Sequence, residues 1–408
     1  MTGHPPVKSS VRDLAVLGGA PSFAEPLYVG RPNVGDRNQF LKRLTDMLDR
    51  RWLTNDGPML KEFEQRVATL LGVRHCVAVT NGTVALELTI RALELHGEVI
   101  IPAFTFVATA HALQWHGITP VFCDIDPTTH TLDPRAVEAA VTPQTTGIIG
   151  VHVWGHPCDI GALTAIAHRH GLRLLFDAAH AFGCSYQGQM IGRFGDAEVL
   201  SFHATKFFNT FEGGAVVSND DDLATRLRLM RNFGFAGYDQ VVSVGINGKM
   251  TEVAAAMGLT NLESLDRFIT TNQRHYEQYR RLLAGVPGIV PVAYDAGERC
   301  NYQYIVIQVD EAHAGLSRDE LMEVLWAENV HARRYFYPGV HKMAPYLSHG
   351  VSLPQTDRIC VQVLSLPTGT AVQSANIETI CQIIRLAVAH ADHVRTAVQA
   401  RHRRAPTG

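Results

Sequence analysis

Three short stretches carry residue types that can do chemistry together. The first is Ser201-Phe202-His203-Ala204-Thr205-Lys206-Phe207-Phe208-Asn209-Thr210-Phe211-Glu212-Gly213-Gly214, where a lysine follows an apolar run and is flanked by aromatic residues. Lysine is rarely buried without a reason. An apolar setting lowers its pKa and frees a neutral amine to act as a nucleophile. The second is Leu174-Leu175-Phe176-Asp177-Ala178-Ala179-His180, in which a carboxylate closes an apolar run and can oppose the charge of a cationic ring nitrogen. The third is Val79-Thr80-Asn81-Gly82-Thr83-Val84-Ala85-Leu86, which reads as a strand leading into an apolar helix. Helix N-termini bind phosphate through free amides and the positive end of the helix dipole. Gly82 permits close backbone approach there, and Thr83 adds a hydroxyl. Each stretch alone has an ordinary explanation: an exposed loop lysine, a helix N-cap aspartate, a plain strand–helix turn.

What changes this is the set of elements that must position them. Short apolar runs at Cys76–Thr80, Glu98–Ile101, Pro120–Cys123, Gly147–Val151, Leu172–Phe176, Ala197–Phe202 and Gly214–Ser218 predict strands covered on both faces. Helical stretches such as Val84–Leu95, Pro134–Ala140 and Ile160–His170 alternate with them. This alternation predicts an α/β domain with a mainly parallel sheet, which gathers ligand groups at the C-terminal ends of its strands. The anion cradle, the acid and the amine all fall at such ends. Together they suit a ligand with a phosphate, a basic ring nitrogen and an aldehyde, which is pyridoxal 5′-phosphate (PLP).

The chain has 408 residues, enough for two or three domains. The expected division is an N-terminal arm (1–25), read as loose, a large cofactor-binding domain with a long interdomain helix (26–284), a small C-terminal domain (285–393) and a solvated basic tail (394–408). The long helix is expected over Glu252–Leu283 and the last helix over Ala375–His393. Hydrophobic residues make up 46% and charged residues 18%, so a large core can form. A formal net charge of −3 argues against a nucleic-acid partner. No apolar run reaches the roughly 18 residues of a membrane span, so no membrane partner is expected. Seven scattered cysteines, never spaced CxxC, fit free thiols in the cytoplasm. No metal is expected: Gly155 and Pro157 break any helix carrying His152 and His156. Nor is a dinucleotide site, because Gly18-Gly19-Ala20-Pro21 ends in proline.

The sequence resembles the DegT/DnrJ/EryC1/StrS family of PLP-dependent sugar aminotransferases from about Tyr28 to about His390. The likeness is carried by Trp52–Pro58 (family form close to WLTxGP), Asn81-Gly82-Thr83, Pro102-Ala103-Phe104-Thr105-Phe106, Asp177–His180, Ser201–Gly214 and Gly245–Glu252 (close to GYNYRMSE). The resemblance implies a type I PLP-dependent aminotransferase fold, α/β, with the smaller C-terminal domain also α/β. It implies that Lys206 holds the cofactor through a Schiff base and later moves the proton, while Asp177 pairs with the ring nitrogen. Gly82, Thr83 and Ser201 would hold the phosphate, Phe106 would stack on the ring, and His180 would lie near the phenolic oxygen. Asn247 would reach the phosphate of a neighbouring subunit, making a homodimer the active unit. The segment Arg333–His341, with Thr54, is expected to help bind substrate, Tyr335 and His341 foremost. Asn81 stands where the family commonly has Ser, and Gly248-Lys249 where it has Tyr-Arg.

The implied reaction is transamination of a nucleotide sugar with L-glutamate as donor. Phe211-Glu212-Gly213-Gly214 resembles the branch that aminates C4. The expected conversion is therefore dTDP-4-keto-6-deoxy-D-glucose to dTDP-4-amino-4,6-dideoxy-D-glucose, for natural-product glycosylation. A 3-keto-sugar or UDP-sugar aminotransferase is the alternative within the family, and a non-catalytic PLP-binding regulator the alternative outside catalysis. Sugar 3-dehydratases of the family carry His in place of Lys206, which separates this chain from them.

Overall fold

In the computed structural model, which describes residues 8–404, the apolar runs form one seven-stranded sheet. Its strands are β1 (His75–Val79), β2 (Glu98–Pro102), β3 (Thr119–Cys123), β4 (Thr145–Val151), β5 (Arg173–Asp177), β6 (Ala197–Ser201) and β7 (Gly214–Ser218). The spatial order is β1-β7-β6-β5-β4-β2-β3, and only β7 runs against its neighbours. Both faces are covered, as the continuous apolar patterns require. Along β1, Cys76 and Ala78 enter one apolar cluster while Val77 and Val79 enter another on the opposite face.

A second, antiparallel sheet joins β8 (Ile289–Pro291), β9 (Ile305–Val309) and β10 (Val363–Leu366). Helices Arg318–Ala327, Ser374–Ala389 and Ala391–Arg404 cover it with a separate core. The fold is the α/β architecture expected: a large mainly parallel sheet and a smaller C-terminal α/β unit.

Four segments differ from the sequence reading. The helix expected over Glu252–Leu283 is two helices, Glu252–Leu262 and Leu265–Leu283, parted at Glu263-Ser264. The first is buried nearly all round. The second lays one face on both cores, with Phe268 in the large one and Tyr279 in the small one. One straight axis would not serve both burial patterns. An additional helix spans Ala108–Trp115. The stretch read as a basic tail continues as helix to Arg404, because Val394 and Val398 insert into the C-terminal core. The arm is not loose: Leu14, Val16 and Phe23 pack in that same core. Lys8 there forms a 3.0 Å ion pair with the fully buried Glu328. Glu328 also accepts the amides of Ala15 and Ser22, both at 2.7 Å. Residues 1–7 and 405–408 of the expected arm and tail lie outside the described residues.

The Trp52–Pro58 stretch and Glu252 are explained together. Helix Pro58–Leu71 starts with Gly57 as its N-cap and no side-chain cap of its own. Its amides are instead taken by Glu252, whose carboxylate accepts from Met59 at 3.0 Å and Leu60 at 2.8 Å. A Cβ on Gly57 would stand 2.3 Å from that carboxyl carbon. Glu252→Ala strips two buried amides of their acceptor and is expected to cost about 1–3 kcal/mol, read by urea denaturation. Gly57→Ala is expected to cost a similar amount by overpacking.

Candidate active site

Strands β5 and β6 and the connection after β1 end on one side of the sheet, around a cavity of about 550 Å³. Asp177 is the last residue of β5, and Ser201 the last of β6. Helix Gly82–Ala92 begins three residues beyond Val79 and points its N-terminus at the same space. Gly82, Thr83, Phe106, Asp177, His180, Ser201, Lys206 and Tyr335 all line this cavity, so eight of the expected site residues are brought together.

Asp177 is not a helix cap, since no helix follows it. Its carboxylate accepts the Ala179 amide at 3.1 Å and the Thr109 hydroxyl at 2.9 Å. Thr105 lies 3.0 Å from Thr109 and donates to it, because Thr109 spends its own proton on Asp177. Burial pushes the Asp177 carboxyl up, against the pull of these donors and of the Lys206 charge. Lys206 is half-buried by area, but its amine lies deep enough that desolvation brings its pKa down to about 8; the Asp177 charge limits the fall. His180 is held well below the usual imidazole range by burial and by Lys206.

The helix N-terminus is ready for an anion. Asn81 Oδ1 accepts the Val84 amide at 2.9 Å, and Ala85 bonds the Asn81 carbonyl. Among the described residues no protein acceptor takes the amides of Gly82 or Thr83. Asn81 thus does by capping what a hydroxyl does elsewhere. A Cβ on Gly82 would lie 3.1 Å from Ser201 Cβ, and one on Gly214 only 2.7 Å from the Gly82 amide, so both glycines keep this seat open.

Two expected substrate residues lie elsewhere. His341 is drawn into the C-terminal unit, 5% exposed, with Nε2 at 3.0 Å from Asp357 Oδ1, and does not line the cavity. Thr54 is half-buried and also outside it; its segment serves the start of the next helix, with the Leu53 carbonyl accepting from Glu252. Asn247 is exposed and outside this chain's own cavity, in a β-bridge with Asn232. Thr109 and Tyr304 are functional candidates that the sequence reading did not single out, whereas Arg333 belongs to the expected Arg333–His341 segment. Arg333 and Tyr304 line the cavity, and Thr109 lies beneath it. The only sequence signal for Thr109 is its closeness to the Phe104-Thr105-Phe106 motif. No group of His, Cys, Asp and Glu among the described residues is arranged to hold a metal ion.

These groups fit PLP: a partly neutral amine, a buried carboxylate nearby, free amides at an anion seat and an exposed aromatic ring, Phe106, on the wall. With the amine near 8, covalent capture of PLP by the apoprotein should quicken about tenfold per pH unit and level off above about pH 8. Stopped-flow absorbance measures this. A rise continuing to pH 10 would mean an ordinary solvated lysine.

Comparison with known proteins agrees with this chemistry. Residues 35–385 match the model of the DegT/DnrJ/EryC1/StrS aminotransferase family. The dTDP-4-amino-4,6-dideoxy-D-glucose transaminase of Shigella dysenteriae is 40% identical over 363 residues, covering 88% of this chain and 99% of that protein. The Escherichia coli protein of the same name is 36% identical over 368 residues, covering 88% and 97%. The crystal structure of DesI, solved in the presence of its TDP-sugar product, superposes with a TM-score of 0.91 at 50% identity, covering 97% of this chain and 100% of DesI. With amine, acid and anion seat sharing one cavity, the chain belongs to the DegT/DnrJ/EryC1/StrS aminotransferase family and its cofactor is pyridoxal 5′-phosphate.

Proposed function

We propose that the protein transfers an amino group from L-glutamate to C4 of dTDP-4-keto-6-deoxy-D-glucose, giving dTDP-4-amino-4,6-dideoxy-D-glucose. The observation that carries the transaminase reading is the joint placement of Lys206 and Asp177 in one cavity beside the free amides of Gly82 and Thr83. The sugar is supported by the relatives named above and by the likeness of Phe211-Glu212-Gly213-Gly214 to the C4-aminating branch, with Glu212 lining the cavity.

Bound PLP supplies an electron sink for the carbon that loses or gains the amino group. The chain's residues do the rest. The Gly82 and Thr83 amides and the Ser201 hydroxyl hold the phosphate. Asp177, fixed by Thr109 and Ala179, opposes the ring-nitrogen charge. Lys206 Nζ takes a proton from the donor's α-carbon and passes it on, work that suits an amine near 8. Phe106 offers a ring face, and Tyr335 with Arg333 forms the wall toward the sugar. The same steps reversed on the keto sugar complete the cycle.

The active unit is proposed as a homodimer. Asn247 follows an exposed segment carrying Phe235, Tyr238, Val241, Val244 and Ile246, and Tyr238 is 99% exposed. Such an apolar stretch suits a second subunit, into whose site Asn247 would reach. Seven free cysteines, all buried, suit the cytoplasm. Among the described residues no helix is long and apolar enough to cross a membrane. A natural-product glycosylation pathway would consume the product.

A panel of dTDP- and UDP-keto sugars with glutamate, read by mass spectrometry, tests the substrate. The dTDP-4-ketone is expected to react at least about tenfold faster than a 3-ketone or UDP-sugar. Reaction of UDP-sugars or C3 ketones alone would refute the substrate and leave the transaminase standing. A visible cofactor band that glutamate does not shift would mark a passive binder.

A further inference from the structure

His180 lines the cavity, and its anchor is a strained residue with no role so far. Trp154 is fully buried and adopts φ 63°, ψ −4°, the left-handed region that a bulky residue rarely enters. Its surroundings hold it there. The indole N–H donates to His130 Nδ1 at 3.2 Å, and the Trp154 carbonyl lies 3.3 Å from Tyr294 Oη, whose proton goes to the Tyr304 carbonyl at 2.8 Å. The indole also stacks on Phe336, with centroids 5.6 Å apart. This turn aims the Trp154 backbone N–H at His180 Nδ1, 3.3 Å away.

That contact decides where the imidazole carries its proton. Nδ1 is an acceptor, so a neutral ring must bear its hydrogen on Nε2. Nε2 faces Tyr304 Oη at 3.5 Å and the cavity beyond. The charged or titratable groups around the ring are Lys206, Tyr304 and, across the cavity, Asp177. Lys206 and burial both disfavour a second proton, and burial keeps the Tyr304 phenol protonated. The His180 ring is clamped against the Phe336 ring at 5.7 Å, and its carbonyl receives Asn301 Nδ2 at 2.8 Å.

We propose that Trp154 is a positioning residue: its strained backbone locks His180 as the neutral Nε2–H tautomer, so that the imidazole presents a hydrogen-bond donor to an acceptor oxygen in the cavity. The lock belongs to the chain itself and rests on the PLP reading only for what fills the cavity.

Neutron diffraction from perdeuterated crystals, with and without PLP, tests it directly. The deuteron is expected on Nε2 of His180 in both. A deuteron on Nδ1, or on both nitrogens, would overturn the proposal without touching the transaminase reading. Variants of the holoenzyme give a second measurement. His180→Gln keeps a donor near the Nε2 position and should leave the titration midpoint of the visible cofactor band in place. His180→Phe removes the donor and should move it by about one pH unit. Trp154→Phe keeps the backbone N–H and most of the ring packing but loses the indole bond to His130, and should still preserve the midpoint. Equal shifts in the Gln and Phe variants of His180 would reduce the ring to packing and refute the lock.

Discussion

With alanine at position 206, turnover is expected to fall by at least about 10,000-fold while the protein still takes up PLP noncovalently. Arginine should fail equally. It keeps a charge but cannot give up its proton in water, whereas the Lys206 amine is already near 8. Folding should survive, since the change removes a desolvated amine and orphans no buried partner. Three measurements check this together: steady-state rate, melting temperature, and loss of the pyridoxyl adduct after borohydride reduction. A variant that kept near-normal turnover would take Lys206 out of the chemistry and the proposed mechanism with it.

Asp177→Asn is the second large effect, with an expected loss of about 100- to 10,000-fold in kcat/KM for the amino donor. The amide is nearly isosteric: its Oδ1 can keep the Ala179 amide while its NH2 donates to the Thr109 hydroxyl, so the fold should hold. What goes is negative charge. The cofactor ring nitrogen then has no counter-ion, and Lys206 loses the charge that limits its desolvation. The sign of the second effect is definite: the midpoint for PLP capture by the apoprotein should move below about 8. A loss under tenfold with an unmoved midpoint would make Asp177 a structural residue of β5.

The contrast between these residues and others shows what the sequence made legible. Lys206, Asp177 and Gly82 sit at strand ends or in the turns just beyond, and strand ends are marked by where apolar runs stop. Strand β7 and helices Pro134–Ala140 and Ile160–His170 were read with the boundaries the structure has. The partners that tune the site were not readable. Thr109 is 68 residues from Asp177, Trp154 26 from His180 and Tyr304 124 from His180, with no local pattern joining them. His341 misled for the same reason. Its neighbours in sequence are aromatic and cationic, while the carboxylate that buries it is 16 residues away. Helix Ala108–Trp115 escaped because Phe104–Ala110, where Thr105 and Thr109 interrupt the apolar residues, has no clear period. The division at Glu263-Ser264 has neither glycine nor proline to announce it.

The anchoring of the arm bears on how the chain comes together during synthesis. Ala15 and Ser22 bond a carboxylate 313 and 306 residues downstream. The seven strands of the large sheet are complete well before that carboxylate leaves the ribosome. Residues 15–22 therefore wait, unmatched, until the segment that carries Glu328 is available, so their docking follows completion of the large sheet rather than preceding it.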